Sequence, residues 1–442
     1  MLSLLAHAAP ISYRFPLPIW VYVLAGATAV AASAPAAALA VRREPPVRES
    51  RDLLPTLRRF HLGQIGLVLA TVLFVWGLVG GLGGSTVQSG EFFENPMTVL
   101  VWIDFWIGLG IVSAFIGNVW DAVSPLSYAA RALDAALARR GVAQARYPER
   151  LGQWPAVLLV LGWTWAELIW GPAKEPHTLA LMAVGYCVVT LLGSALFGAE
   201  TWLRNVELFT VVARTFGRFA PFRVRPDSVR LRPYGQGIRT DGDLPAGGGA
   251  LVVALLATVV YDGFSQTGRF FSLEAWFLAR STWLGLHVQV LDTALMVAIV
   301  ALFVLAYLLV CGSADAARAY APALIPIAAV YFAAHYLAYL LLAGQTTLGT
   351  LVDPFGHGWN PWGLGEYPIR RGIAPATLVW WSQVALIVWG HVVAVFAAHR
   401  VALRRHEEPR RALLAQAPMV LLMVAYTMIG LWVLAQQIKV GA

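Results

Sequence analysis

Ten stretches of this 442-residue chain are apolar for long enough to cross a bilayer, and that constraint comes before any other. A hydrocarbon core of about 30 Å takes roughly 17–25 residues of helix. Runs of that order lie at 18–41, 62–82, 97–117, 153–170, 178–198, 247–261, 285–311, 320–343, 375–400 and 412–435. The sixth is short; "DGFSQTGRF" follows it, and then a second apolar piece, 271–284, containing Glu274 and Arg280. That piece is too short and too charged to cross, and reads as re-entrant or interfacial. Only 13% of residues are charged, against about 25% in soluble domains, so a water-facing surface cannot be built. The expected fold is an all-α polytopic transmembrane bundle of about ten spans, one membrane domain over 1–442.

Arg and Lys sort by side. Connection 42–59 carries six, 131–150 five, 204–239 eight and 400–411 five, and Arg318 sits in a short turn, so alternate connections hold 25 of the 32 basic residues. The positive-inside rule makes those connections cytoplasmic and puts both termini outside. The same sorting explains the pI near 9.7 without nucleic acid. Two stretches on the basic side, "SYAARALDAALARRG" from Ser127 and "NVELFTVVARTFGRF" from Asn205, have amphipathic helical spacing and are expected to lie on the inner surface against anionic lipid. Cys187 and Cys311 fall in different apolar segments, so no disulfide is expected, and the N-terminus lacks the basic start of a cleaved signal peptide.

Polar residues at membrane depth are costly and mark function. Counting about 1.5 Å per residue from each basic end, Asp104, Glu167, Asp262, His287, Gln289, Asp292, His335 and Gln383 all fall in the outer half. The inner half holds only His391, His399 and Asn118. Such one-sided clustering suits a site open to the outside. Asp262 lies at the break after the short sixth run, where a discontinuous helix would free backbone groups. The Gly-, Pro- and Trp-rich connection 344–372 reads as an aromatic interface loop, or as a cap carrying Asp353 and His357 over the site. Taken singly, each polar residue has a plainer reading: headgroup-level carboxylates, or a histidine satisfied within helix packing.

Converging His, Asp and Glu suit Zn or Mn, with His335, Asp262, Asp292, His287 and Glu167 as ligands and Asp262, His335 and Asp104 as catalytic groups. A metal-bound hydroxide would attack an ester or phosphoryl centre. Neither HExxH nor HxH is present. Depth makes Asp262 or Asp292 the expected partner of His335, with Tyr331 or Gln383 supporting the ring. The same groups would serve an ion or proton pathway, and a haem- or quinone-handling subunit is a third reading, although His335 and His391 differ in depth by roughly 9 Å.

The blocks "SAFIGNVWDAVSPLSYAARAL" from Ser113, "RLGQWPAVLLVLGWTWAELIW" from Arg150, "VVYDGFSQT" from Val259, "AAHYLAYLLLAGQ" from Ala333 and "VALIVWGHVVAVFAAHRVAL" from Val384 resemble, in order, a bacterial multi-pass membrane family labelled fenitrothion hydrolase. The resemblance implies a multi-pass protein of the bacterial cytoplasmic membrane. It also implies a membrane-bound hydrolase of lipophilic phosphotriester-like esters. Membrane lipids and a lipophilic small molecule or ion are the expected partners.

Overall fold

In the computed structural model, which describes residues 17–41, 46–84, 95–225, 228–281, 287–365, 369–370, 372–406 and 408–437, the chain is a helical bundle. Nine helices among these residues are long and apolar enough to span a bilayer. They are α1 (Ile19–Ala40), α2 (Leu62–Gly83), α3 (Pro96–Phe115) and α5 (Pro176–Phe197), then α6 (Gly248–Ser265), α8 (Val288–Cys311), α9 (Ala314–Ala343), α10 (Ala376–Arg405) and α11 (Pro409–Gln437). A shorter apolar helix, α4 (Trp154–Leu168), occupies the fourth expected run. α7 (Gly268–Ser281) has 14 residues, about 21 Å of helix, which falls short of the hydrocarbon thickness.

Three of the basic connections meet at one end of the bundle, as expected if they share a side. Backbone N–H groups of Ser50 and Leu53 donate to Leu231 and Val229 carbonyls at 2.8 and 2.7 Å. Arg223 pairs with Glu49 at 2.7 Å, Arg214 pairs with Asp121 at 2.9 Å and Glu200 at 3.1 Å, and Arg131 of connection 131–150 lies 3.8 Å from the same two carboxylates. The 204–239 connection also contains strands β1 (Phe222–Arg225) and β2 (Ser228–Leu231), an antiparallel pair that departs from an otherwise helical fold. Both chain termini, with Arg14 and Lys439, and also Arg371, lie outside the described residues.

One of the two amphipathic stretches is placed differently from expectation. Helix Pro125–Arg139 lies at the surface, with Tyr128 exposed. Helix Leu208–Gly217 is instead buried along every residue except Arg214, and plugs the basic end of the bundle. The reason is local: Glu207 caps it, accepting from the Phe209 and Thr210 N–H groups at 3.2 and 2.8 Å, and accepts the Tyr186 hydroxyl at 2.6 Å. An apolar helix with its first turn tied to a span has no lipid to meet; Arg214, its one charge, is neutralised by Asp121 and Glu200.

Candidate functional site

α6 and α9 form the innermost part of the bundle, and each contributes to one buried cluster near the end opposite the basic connections. His335 Nε2 lies 2.9 Å from Asp262 Oδ2, and the Tyr336 hydroxyl donates to the same oxygen at 2.7 Å. With Asp262 ionised, a carboxylate only accepts, so Nε2 carries the hydrogen and the ring is held in one tautomer. Relative exposures of 0% for Asp262, 4% for His335 and 3% for Tyr336 close the cluster from lipid and water alike. A β-carbon on Gly263 would sit 3.2 Å from His335 Cε1, so the absent side chain at that position lets the imidazole lie against α6.

Of the two partners that depth suggested for His335, Asp262 and Asp292, it is Asp262, 73 residues away in sequence, that the ring meets directly. The support expected for the ring differs. Gln383 donates to the Ala334 carbonyl at 2.8 Å, and Tyr331 lies one turn along α9 with its ring centroid 6.2 Å from that of His335. Asp262 sits inside the last turn of a continuous helix that runs to Ser265, and not in a break. The extra turn follows from the Ser265 and Thr267 hydroxyls, which satisfy the Asp262 and Phe264 carbonyls at 2.7 and 2.8 Å and so terminate the helix later than the apolar run does.

Glu167, at the end of α4, is buried within electrostatic reach of Asp262, and Lys174, in the turn that follows, feels both carboxylates. Burial pushes the Lys174 ammonium below its ordinary range, and Glu167 and Asp262 act in the opposite direction. The surroundings thus carry two carboxylates, one ammonium and one imidazole.

The other candidates share the height of this cluster but turn elsewhere. Asp104 accepts from the Thr347 hydroxyl at 2.8 Å, which brings connection 344–372 onto α3. Asp353 caps its own loop, accepting the His357 and Gly358 N–H groups at 2.9 and 2.7 Å, so neither Asp353 nor His357 forms a lid over the pair. Asp292 faces Glu274 of α7, and His287 is an exposed residue ahead of α8. Among the described residues no three His, Cys, Asp or Glu side chains converge to hold a metal ion. The five residues expected as ligands for Zn or Mn are thus not assembled into one set, and a tetrahedral site needs three or four protein donors.

Tyr336 is the partner that sequence reading missed. Neighbours i and i+1 on a helix do not share a face, yet Asp262 reaches between them. Tyr331, His335 and Tyr339, spaced four apart, share one face of α9 that leaves Tyr336 out, so helical spacing did not mark it. Asp104 also lies in a nine-residue π-helical stretch, Val99–Ile107, a rare geometry frequent at functional sites and invisible in composition.

Scans against family models, curated proteins and solved structures find no match to this chain. Fold and site together define its class: a multi-pass all-α membrane protein with an acid–imidazole–phenol cluster closed inside it.

Proposed function

We propose that the protein is a proton-coupled membrane transporter in which Asp262 and His335 carry the coupling proton. The observation that supports this is the direct contact of a carboxylate, an imidazole and a phenol across two inner helices, closed to solvent. Charge bookkeeping gives the logic. With Asp262 and Glu167 ionised, Lys174 charged and His335 neutral, the surroundings carry one net negative charge, and one added proton cancels it. A net charge in a closed, low-dielectric interior is costly, so closure around the cluster favours the protonated state and opening releases the proton. The proton arrives on His335 as imidazolium; Nε2–H stays on Asp262 Oδ2, and Tyr336 keeps its own proton while holding the carboxylate in place.

The test is proton flux into proteoliposomes loaded with a pH-sensitive dye, under an imposed potential and with a small-solute extract as cargo. Wild-type protein is expected to carry protons, and Asp262→Asn and His335→Ala to lose that flux while still inserting. Wild-type flux equal to that of protein-free vesicles sinks the proposal.

A second reading is hydrolysis of lipophilic phosphotriester-like esters. It is supported by the placement of Glu167, Asp262 and His335 within the blocks that carry the family resemblance. There the oriented imidazole would act as base towards a water. Release of a phenol from a lipophilic triester by wild-type protein, with and without added Zn or Mn, and its loss in His335→Ala, would replace transport with this reading.

A further inference from the structure

The connection that follows α9 does not stand off from the bundle into water. Its short helix, Thr346–Val352, lies along α2, where the Trp76 indole N–H donates to the Leu351 carbonyl at 2.9 Å. Trp76 is about 10 Å of helix short of Gly83, the outer end of α2. From there the chain climbs beside that helix. A β-carbon on Gly80 would meet the Pro354 side chain at 3.4 Å, and one on Gly83 the Phe355 ring at 3.6 Å. The chain then folds back, since the Leu364 and Gly365 carbonyl oxygens lie 3.6 Å from where a β-carbon on Gly349 would sit. The tip between, 358–363, is thereby held at the outer rim of the bundle. It stands beside a helix whose Val72, Val75, Val79 and Leu82 side chains are exposed on the lipid-facing periphery.

Two tryptophans stand on this tip. Trp362 is 90% exposed, more than any other large apolar side chain among the described residues, and Trp359 is 48% exposed. The backbone at Trp362 is left-handed, with φ 57°, a conformation that strains a bulky residue. So exposed a ring gains too little from packing within the protein to offset that strain. The loop around it is nonetheless firmly built. Asn360 Oδ1 accepts the Gly365 N–H at 2.8 Å, and the Trp359 ring meets those of Phe355 and His357 at 5.8 and 5.6 Å. Gln345 Oε1 accepts the Arg370 N–H at 2.9 Å and closes the base. A rigid loop that presents a bare indole from a strained backbone, beside the outer end of a lipid-facing helix, calls for a neighbour outside the protein. Indole suits the level where hydrocarbon gives way to headgroups: its body is apolar, and its N–H can donate to lipid carbonyl and phosphate oxygens.

We propose that Trp359 and Trp362 form a lipid anchor, seated among the headgroups and upper acyl chains of the outer leaflet. A membrane surface fits better than a protein partner because the tip continues the lipid-facing side of α2. The anchor is independent of the transport reading above. It reaches the bundle through Thr347, whose hydroxyl donates to Asp104 of α3 at 2.8 Å. One rigid loop thus joins the leaflet surface to a carboxylate at membrane depth.

The experiment places a polarity-sensitive fluorophore on Trp362→Cys, with Cys187 and Cys311 replaced by serine, and holds the full chain in lipid nanodiscs. The reference is the same fluorophore on Val142→Cys, an exposed position in a basic connection. Expected at Trp362 are blue-shifted emission, quenching by lipids that carry a nitroxide at the headgroup or upper acyl chain, and quenching by aqueous iodide at least about threefold weaker than at Val142. Iodide quenching equal to that at Val142, with none from nitroxide lipids, puts the tip in water and overturns the anchor. Shielding from both quenchers means that a second copy or another protein covers the tip, and overturns the lipid assignment. A second measurement uses the native ring as its reference: amide hydrogen exchange over 346–365 in nanodiscs, expected to be about threefold or more faster in Trp362→Ser than in wild type. An exposed ring that anchors nothing would leave that exchange unchanged, and equal rates overturn the proposal.

Discussion

α6 and α9, which carry the Asp262–His335 pair, differ from α2 and α8 in a way that inverts the rule for soluble proteins. In the membrane-length windows of α6 and α9, 78% of residues are buried; in those of α2 and α8 only 17% are, and α8 is the most apolar of the nine candidate spans. Lipid tails are as apolar as leucine, so no hydrophobic force draws the most apolar helices inward. They stay at the periphery, facing lipid, with Gln289, Asp292 and Thr293 of α8 confined to its first turns, while α6 and α9, which carry Asp262, His335 and Tyr336 deep in the bundle, lie at the centre, where those groups find partners. Burial in this protein tracks the need for polar company, and the site follows from it.

This comparison stands only if lipid surrounds the periphery and the two ends face different waters. The decisive test is all-or-none. With Cys187 and Cys311 replaced by serine, Val142→Cys lies in a basic connection and Ser272→Cys on α7, both exposed. In intact cells an impermeant thiol reagent is expected to label only the Ser272 position. Labelling at Val142 instead would invert the orientation, and labelling of both would dissolve the two-sided arrangement.

Within the bundle, the sharpest contrast is energetic. Removing one partner of a buried pair leaves the other charge stranded, at roughly 3–5 kcal/mol. His335→Ala is expected to lower stability by that amount in a detergent unfolding titration. Val297→Ala on α8, whose side chain is 57% exposed, should change it by less than about 0.5 kcal/mol. Equal effects at the two positions would mean that α9 is no more interior than α8.

Glycines give a finer version. A β-carbon on Gly390 of α10 would overlap the Val330 side chain of α9 and press on the Pro326 carbonyl oxygen, whereas one on Gly185 of α5 would meet nothing. Gly390→Ala is expected to cost about 1–3 kcal/mol through overpacking. Gly185→Ala should gain about 0.5–1 kcal/mol from helix preference. The opposite order would contradict the packing of α9 on α10.

Much of this was legible in the sequence because hydrocarbon thickness sets span length. Runs 18–41 and 178–198 became Ile19–Ala40 and Pro176–Phe197. Height was legible too: it brought Asp262 and His335 together from distant parts of the chain. Direction around the helix was not, because apolar residues occupy every face of α6 and α9 and the few polar positions do not say which neighbour will cover them. Asp104, Asp292 and His287 share the height of the pair, yet turn to Thr347, to Glu274 and to the exterior. The interior course of Leu208–Gly217 was hidden for a different reason: its amphipathic spacing looks the same whether the apolar face meets lipid or protein.

The smallest expected effect concerns α7, the helix that lies outside the spans and packs through Phe270 on Tyr261 and Phe264 near the outer end of α6. Burial pushes the Glu274 carboxyl of α7 above its ordinary range, with the facing Asp292 of α8 acting in the opposite direction. A carboxyl whose folded value is raised binds its proton more tightly in the docked state than when released. Its contribution to docking is therefore complete below the ordinary carboxylate value and is lost as pH rises through the raised one. α7 should loosen towards alkaline pH, when Glu274 and Asp292 both become charged and repel. Amide hydrogen exchange over 268–281, corrected for intrinsic rate, is expected to show about two- to fivefold less protection near pH 8 than near pH 5. Glu274→Gln should flatten that difference, since the amide neither ionises nor repels. Protection that is constant or rises with pH in the wild type would show that the two carboxyls do not share a proton, and that α7 is held to the bundle by its aromatic contacts alone.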